Sequence, residues 1–268
     1  MIRSRRAQQP RPDPMSDPAD SQESFLSHLI ELRTRLMRSI IAVFVVLLVL
    51  FPFAKDIYAL LAQPLLRVLP HGSTMIATDV TGTFLVPLKV TLMAAFLLAL
   101  PYVLWQAWAF VAPGLYQHEK RLVLPVLVSS CVFFVAGMAF AYFVVFPVAF
   151  GFFAGYAPVG VQMMTDIDKY LSFVLTMFIA FGITFETPVV VVVLVRMKVV
   201  SLEKLKSLRP YVIVGAFVVG AIFTPPDVVS QSLLAVPLWL LFELGLLLAR
   251  FVSTTAQEST AEETEPVQ

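Results

Sequence analysis

FVAPGLYQHEKR, Phe110 to Arg121, separates two long apolar runs and holds the few charges in that part of the chain. Ala112-Pro113-Gly114 ends whatever helix precedes it, because proline lacks an N–H donor and glycine tolerates positive φ. Glu119 then falls in the first turn of the next helix, beside Lys120 and Arg121. An acid at a helix N-terminus complements the helix dipole, and on spacing alone that explanation is sufficient. A charged turn between two runs of bilayer-spanning length is the mark of a membrane-helix hairpin, so Glu119 is expected to face water at a membrane surface.

Composition leads to the same class. Hydrophobic residues reach 59% and charged residues only 14%, far from globular usage, so a multi-span all-α membrane protein is expected. The single Cys131 lies in an apolar run and excludes an internal disulfide, and His28, His71 and His118 are too scattered to suggest a metal site. No cofactor and no nucleic-acid partner are expected.

Residues 1–23 are rich in Pro, Arg, Asp, Ser and Gln and cannot bury enough apolar surface to fold, so a disordered tail is expected there. Arg5-Arg6 is followed by AQQPRPDP rather than an apolar run, which argues against an export signal in this chain. From Phe25 the periodicity turns helical, with Phe25, Leu29, Leu32 and Leu36 on one face and Glu31 and Arg35 as an i,i+4 pair on another. An amphipathic helix at the interface is expected, running into a first span that ends near Phe53. An extramembrane cap over 55–83 follows, then spans over about 84–110, 122–149 and 170–195, with a kink at Pro101. SLEKLKSL predicts a short surface helix. Tyr211 to Phe223 is too short to cross a bilayer straight, and the return over 228–249 has a polar first turn at Ser230, Gln231 and Ser232. The expectation is six transmembrane helices over 24–250, the last two short, and a disordered tail over 251–268.

Six spans place both termini on one side. Fifteen of the nineteen Lys and Arg fall in the N-terminal region, the loops at 111–121 and 196–209, and Arg250; only Lys55, Arg67 and Lys169 lie in the opposite loops. The positive-inside rule assigns the basic side, and with it both termini, to the cytoplasm.

Four segments carry a specific likeness: SFLSHLIELRTRL (Ser24 to Leu36), FVAPGLYQHEKR, FGITFETP (Phe181 to Pro188) and FTPPDVVSQ (Phe223 to Gln231). On these, and on the hydrophobic pattern from about Phe25 to Arg250, the chain resembles the TatC family, the membrane receptor of the twin-arginine protein translocase. The resemblance implies a bacterial inner-membrane protein that binds twin-arginine signal peptides of folded cargo. It also implies TatA-like and TatB-like single-span partners, self-association in a receptor complex and a protonmotive driving force. Glu31 and Glu119 match the family's signal-peptide site, and Arg33, Phe110 and His118 match the same surface. The chemistry agrees, because two adjacent guanidinium groups need fixed carboxylates with which each can form a bidentate pair.

Glu186 lies ten residues before Arg196, about 15 Å deep at 1.5 Å per residue. An acid at that depth is costly and should face a polar groove or a partner, with a hydrogen bond to Thr184 or Thr187 as the structural alternative. The resemblance links its position to contacts with single-span subunits. It keeps a partner contact open for Asp227 and Gln231 too, although Asp227 would also serve as the cap of the last helix. Glu243, read as nearer the cytoplasmic edge, is expected to be structural. An ion-coupled secondary transporter would also place an acid mid-membrane, but no internal repeat supports one. No phosphate loop, HExxH or Ser/His/Asp signature points to an enzyme.

Overall fold

The computed structural model describes residues 18–59, 76–111, 120–155, 166–224 and 227–262. Among them every regular element is helical, apart from an isolated bridge between Ile76 and Asp166. Helix α1, Pro18–Leu50, passes through the 3-10 turn Phe51–Phe53 into helix over 54–59. Helix α2 is Gly82–Val111. Helix α3, Lys120–Phe140, continues through a π turn at Ala141–Val145 into α4, Phe146–Gly155. The turn sits directly before Pro147, which can neither donate to the preceding turn nor fit its ring against it, and a wider turn relieves both problems. Helices α5, Ile167–Phe185, and α6, Thr187–Arg196, form a fourth rod broken at Glu186. The short α7, Leu202–Ser207, leads to α8, Arg209–Phe223, and α9, Val228–Glu262.

Five helical stretches are long and apolar enough to cross a membrane: Ser27–Ala59, Gly82–Val111, Val123–Phe153, Ile167–Arg196 and Val228–Phe251. The sixth apolar helix, α8, has 15 residues, or about 22 Å at 1.5 Å per residue against a hydrocarbon core of about 30 Å. The expectation that the last two helices are both short therefore holds only for α8. The polar residues Ser230, Gln231 and Ser232 lie inside the first turn of α9, and the stretch that includes them runs 24 residues, Val228–Phe251, long and apolar enough to cross. A second difference concerns the N-terminal region. No proline or glycine interrupts the chain between Pro18 and Leu50, so the amphipathic segment and the first span are one continuous helix instead of an interfacial helix followed by a span. Helix also reaches beyond the expected domain edges at 24 and 250, to Pro18 and Glu262.

The core lies where α2, α3, α5 and α9 meet, around Leu100, Phe134, Met177, Phe181 and Leu234. Two glycines allow α3 and α5 to approach. A Cβ on Gly137 would overlap the Phe181 backbone, coming within 2.8 Å of its carbonyl carbon, and one on Gly182 would meet the Phe134 ring at 2.5–2.8 Å. Gly151, by contrast, meets nothing within 4 Å, so that glycine of GFFAG admits no close helix approach among the described residues. Helix α1 stands outside this core: its most apolar stretch is 0% buried, and only one side of it touches α2.

At the bundle end that carries the 76–81 turn, Asp166 caps α5. Its Oδ1 accepts from the Asp168 and Lys169 amides at 2.9 and 3.0 Å, while Oδ2 accepts from the Thr78 amide at 3.0 Å and from the Thr78 hydroxyl. Next to it Lys89 pairs with Asp168 at 2.6 Å and donates to Ser172 at 3.3 Å, tying α2 to α5. The Thr78 hydroxyl and these amides hold the Asp166 carboxyl down to about 2 from its ordinary 3.8. Since the native value is the lower one, the cap's contribution is complete above about pH 4 and is lost as the pH falls through about 2.

Two predictions follow from this packing. Gly137→Ala forces α3 from α5 and costs roughly 1–3 kcal/mol of overpacking, read as a lowered Tm in detergent, whereas Gly151→Ala leaves Tm unchanged. Asp166→Ala strips hydrogen-exchange protection from the Thr78 amide at neutral pH, a loss that the parent chain undergoes only in acid between about pH 4 and 2.

Candidate functional site

The last turn of α2 holds the first exposed turns of α1. Phe110 stacks on His28 with ring centroids 4.3 Å apart and planes 18° from parallel. One turn earlier on the same face, Gln106 accepts from Arg35 at 3.5 Å. Arg35 in turn gives both Nε and Nη2 to a single oxygen, Oε1 of Glu31, at 2.9 and 2.5 Å. The i,i+4 spacing makes this pair available within α1, and Gln106, almost fully buried, anchors it to the neighbouring helix. Glu31 is thus a half-exposed carboxylate in a fixed position, with Oε2 outside the pair.

Of the five residues expected at this surface, Glu31 and Phe110 are therefore brought to the same helix ends. Arg33 lies about 200° around α1 from Glu31, exposed and apart from the Arg35 pair. His118 and Glu119 lie outside the described residues, between Val111 and Lys120. Just past Arg35 an apolar groove of about 360 Å³ opens between the two helices, lined by Leu36, Ile40, Val43 and Phe44 of α1 and Leu92 and Phe96 of α2.

The second group of polar residues lies inside the bundle. Glu186 is 9% exposed, and neither carboxylate oxygen has a hydrogen-bond partner among the described residues. Its position follows from the local sequence: Pro188 cannot donate to the preceding turn, Thr187 Oγ bonds instead to the Thr184 carbonyl at 2.7 Å, and the helix breaks between them. The threonines thus satisfy backbone groups and not the acid. Across from Glu186, Ser130 of α3 is completely buried and accepts the Trp108 indole N–H at 2.8 Å. Its hydroxyl faces the carboxyl without meeting hydrogen-bond geometry in this conformation.

Asp227 caps α9, its Oδ1 accepting from the Ser230 amide at 2.7 Å, while Oδ2 is buried without a partner among the described residues. Gln231 packs its backbone against Gly220 of α8. Gly245 lies against Pro188 and Val191, and Leu234 joins the cluster of Val174 and Met177, so α9 runs parallel to the fourth rod. This register leaves Gln231 about 18 Å along the bundle from Glu186, with Asp227 further still. These two are not part of the Glu186 site. Glu243 falls instead at about the depth of Glu186, not at the edge, and its role there is structural: it pairs with Arg209 at 2.7 Å, joining α8 to α9.

Sequence reasoning missed Trp108, Ser130, Gln106 and His28. Gln106 and Ser130 were findable as polar residues inside apolar runs, which a bilayer tolerates only with partners. Nothing local marked which helix would supply those partners.

Comparison with known proteins fits this architecture. Residues 27–237 match the family described as "Sec-independent protein translocase protein (TatC)". The protein of that name from Escherichia coli K12 is 57% identical over 232 residues, covering 87% of this chain and 90% of the relative. The Azotobacter chroococcum protein is 57% identical over 236 residues (88% and 91%), and that of Aquifex aeolicus 40% over 233 residues (86% and 96%). A solved structure described as "Crystal Structure of Twin Arginine Translocase Receptor- TatC" superposes with a TM-score of 0.74 at 41% identity, covering 84% of this chain and 99% of the crystallised one. With the family matched across most of its length and the fold shared with that crystal structure, this chain belongs to the TatC family of Sec-independent protein translocase proteins.

Proposed function

We propose that this chain is the receptor and core subunit of a twin-arginine translocase, binding the signal peptides of folded proteins and assembling with TatA-like and TatB-like single-span subunits. The observation that carries this reading is the docking of α1 on the last turn of α2, which fixes Glu31 beside the helix end leading to Glu119. One arginine of the leader meets Glu31, whose Oε2 lies outside the Arg35 pair, and the other meets Glu119. Arg33, on the other side of α1 from Glu31, and His118 are counted with this surface on the family resemblance alone. The apolar run that follows the arginines enters the groove between α1 and α2, which begins just past Arg35 and is walled by apolar side chains apart from Ser39.

Membrane topology follows the same reading. Counting α8 as a crossing gives six, and all the basic loops then face the cytoplasm of a bacterial inner membrane, together with both termini. The deficit of α8 is met by locally thinned lipid. Glu186 supplies the polar contact for a single-span subunit, with Asp227 and Gln231 as a separate polar contact nearer the opposite face. Membership in a translocase family leaves Glu186 no need of an ion-transport role, and by the same resemblance the protonmotive force, not bound nucleotide, drives export.

A photoreactive twin-arginine peptide tests the site. Glu119→Ala and Glu31→Ala are each expected to lower its crosslinking about tenfold or more, the worth of one charge-assisted pair, and Glu258→Ala to leave it unchanged. Equal labelling of all three variants removes the site. For topology, single cysteines replacing Lys198 and Lys169, in a chain whose Cys131 is changed to Ala, are expected to react with an impermeant thiol reagent from the cytoplasmic and the opposite side respectively. Reaction of both from one side eliminates the six-span arrangement.

A further inference from the structure

The last turn of α2 has two working faces. Gln106 and Phe110, four residues apart, hold α1 through Arg35 and His28. Trp108, about 200° around from both, points the other way into a cluster with Val189 and Val193, which follow Glu186 on one face of α6. Its indole N–H donates to Ser130 Oγ. A hydroxyl that accepts from Trp108 still has its own proton to give. The usual acceptor one turn back on α3, the Val126 carbonyl, is already taken by Ser129 Oγ at 2.9 Å. The register of α3 on α5 supplies another. Gly182 seats the Phe134 ring, and one turn further along these antiparallel helices Ser130 stands opposite Glu186, whose two oxygens have no partner among the described residues.

We infer that Trp108 and Ser130 are positioning residues that couple the signal-peptide surface to Glu186: the indole N–H fixes Ser130, and a small shift of its Oγ about the Cα–Cβ bond lets the hydroxyl donate its own hydrogen bond to the carboxyl. No bond is made or broken. Because Gln106, Trp108 and Phe110 share one helical turn, a leader that displaces the turn at Glu31 and Phe110 also moves the Trp108 donor. That movement changes which Glu186 oxygen is held by Ser130 and which is offered to a partner helix. The inference rests on the proposed roles of Glu31, Glu119 and Glu186.

Ile183, exposed one turn from Glu186, is the reporter position. Carrying a photoreactive side chain there, the chain is assembled in membranes with its single-span partners, and partner labelling is measured with and without a twin-arginine peptide. The peptide is expected to change partner labelling in the parent chain. Trp108→Phe, which keeps the ring and loses the donor, and Ser130→Ala are expected to reduce that change about tenfold, with Ser130→Thr restoring it. A peptide that labels no part of the parent chain defeats the receptor reading; one that binds while both variants keep the full change, or while the parent shows none, overturns the relay. A second readout does not depend on partners. With Trp105 and Trp239 replaced by Phe, Trp108 fluorescence is expected to shift on Glu186→Gln and on peptide addition, and the shifts to vanish in Ser130→Ala. Unaltered emission in the folded single-tryptophan chain would also overturn it.

Discussion

The approach of α3 to α5 at Gly137 and Gly182 is the constraint on which the rest of the bundle depends. Lipid is as apolar as the side chains it surrounds, so membrane helices are held by close packing and polar contacts and not by a hydrophobic drive to leave water. Two glycines that admit the Phe181 backbone and the Phe134 ring fix where α3 stands along α5 to within a fraction of a turn. That register is what sets Ser130 level with Glu186. A slip of one turn would bring Val126 or Phe134 level with the acid in place of the hydroxyl that faces it.

The chain spends its helix breaks in the same economical way. Each proline inside a span removes a backbone bond that the bilayer cannot replace with water. At Pro87 the helix continues unbroken, and the buried Thr91 hydroxyl is satisfied by bonding back to the Pro87 carbonyl at 2.7 Å. At Pro147 the helix widens into a π turn, and at Pro188 it breaks outright. Only the last break coincides with a buried acid, and it coincides with the end of the fourth rod that packs against both α3 and α9.

The course of the chain was largely legible in the sequence because hydropathy alone decides where a helix can sit in lipid. Spans two, three and four fall within a few residues of expectation, and the short length of α8 was evident from Tyr211, Phe223 and the TPPD turn. The last span is expected to be short because three polar residues in its first turn are subtracted from its apolar length, although Asp227 caps that turn and lets the helix start there. Glu31 was legible as half of a pair with Arg35, and the structure contains that pair. What the sequence did not disclose was Gln106, seventy-one positions from Arg35, because helix-to-helix polar contacts leave no local period. The depth of Glu243 was misjudged for a related reason: it was counted from the end of its own helix, whereas the contact of Gly245 with Pro188 and Val191 places it by its neighbours.

That corrected depth bears on how two acids are tolerated at one level of the bundle. Arg209 starts α8 well inside the level of Arg196, because α7 folds back and buries Leu205 against Phe242, Leu246 and Ala249. Its ion pair with Glu243 therefore closes the end of the short helix at about the depth of Glu186, with Arg209 still half-exposed. A charged pair is expensive in thick hydrocarbon and much less so in lipid thinned around a short helix, as the proposed six-span arrangement requires of the 15-residue α8. On that arrangement the short helix and the paired charges depend on each other: α8 is short because polar groups begin at Arg209, and the thinned lipid around a short helix is what tolerates them. Glu186, on the neighbouring rod, has no such pair: both of its oxygens are buried without a partner among the described residues, which is why the proposed contact with a single-span subunit falls on it and not on Glu243.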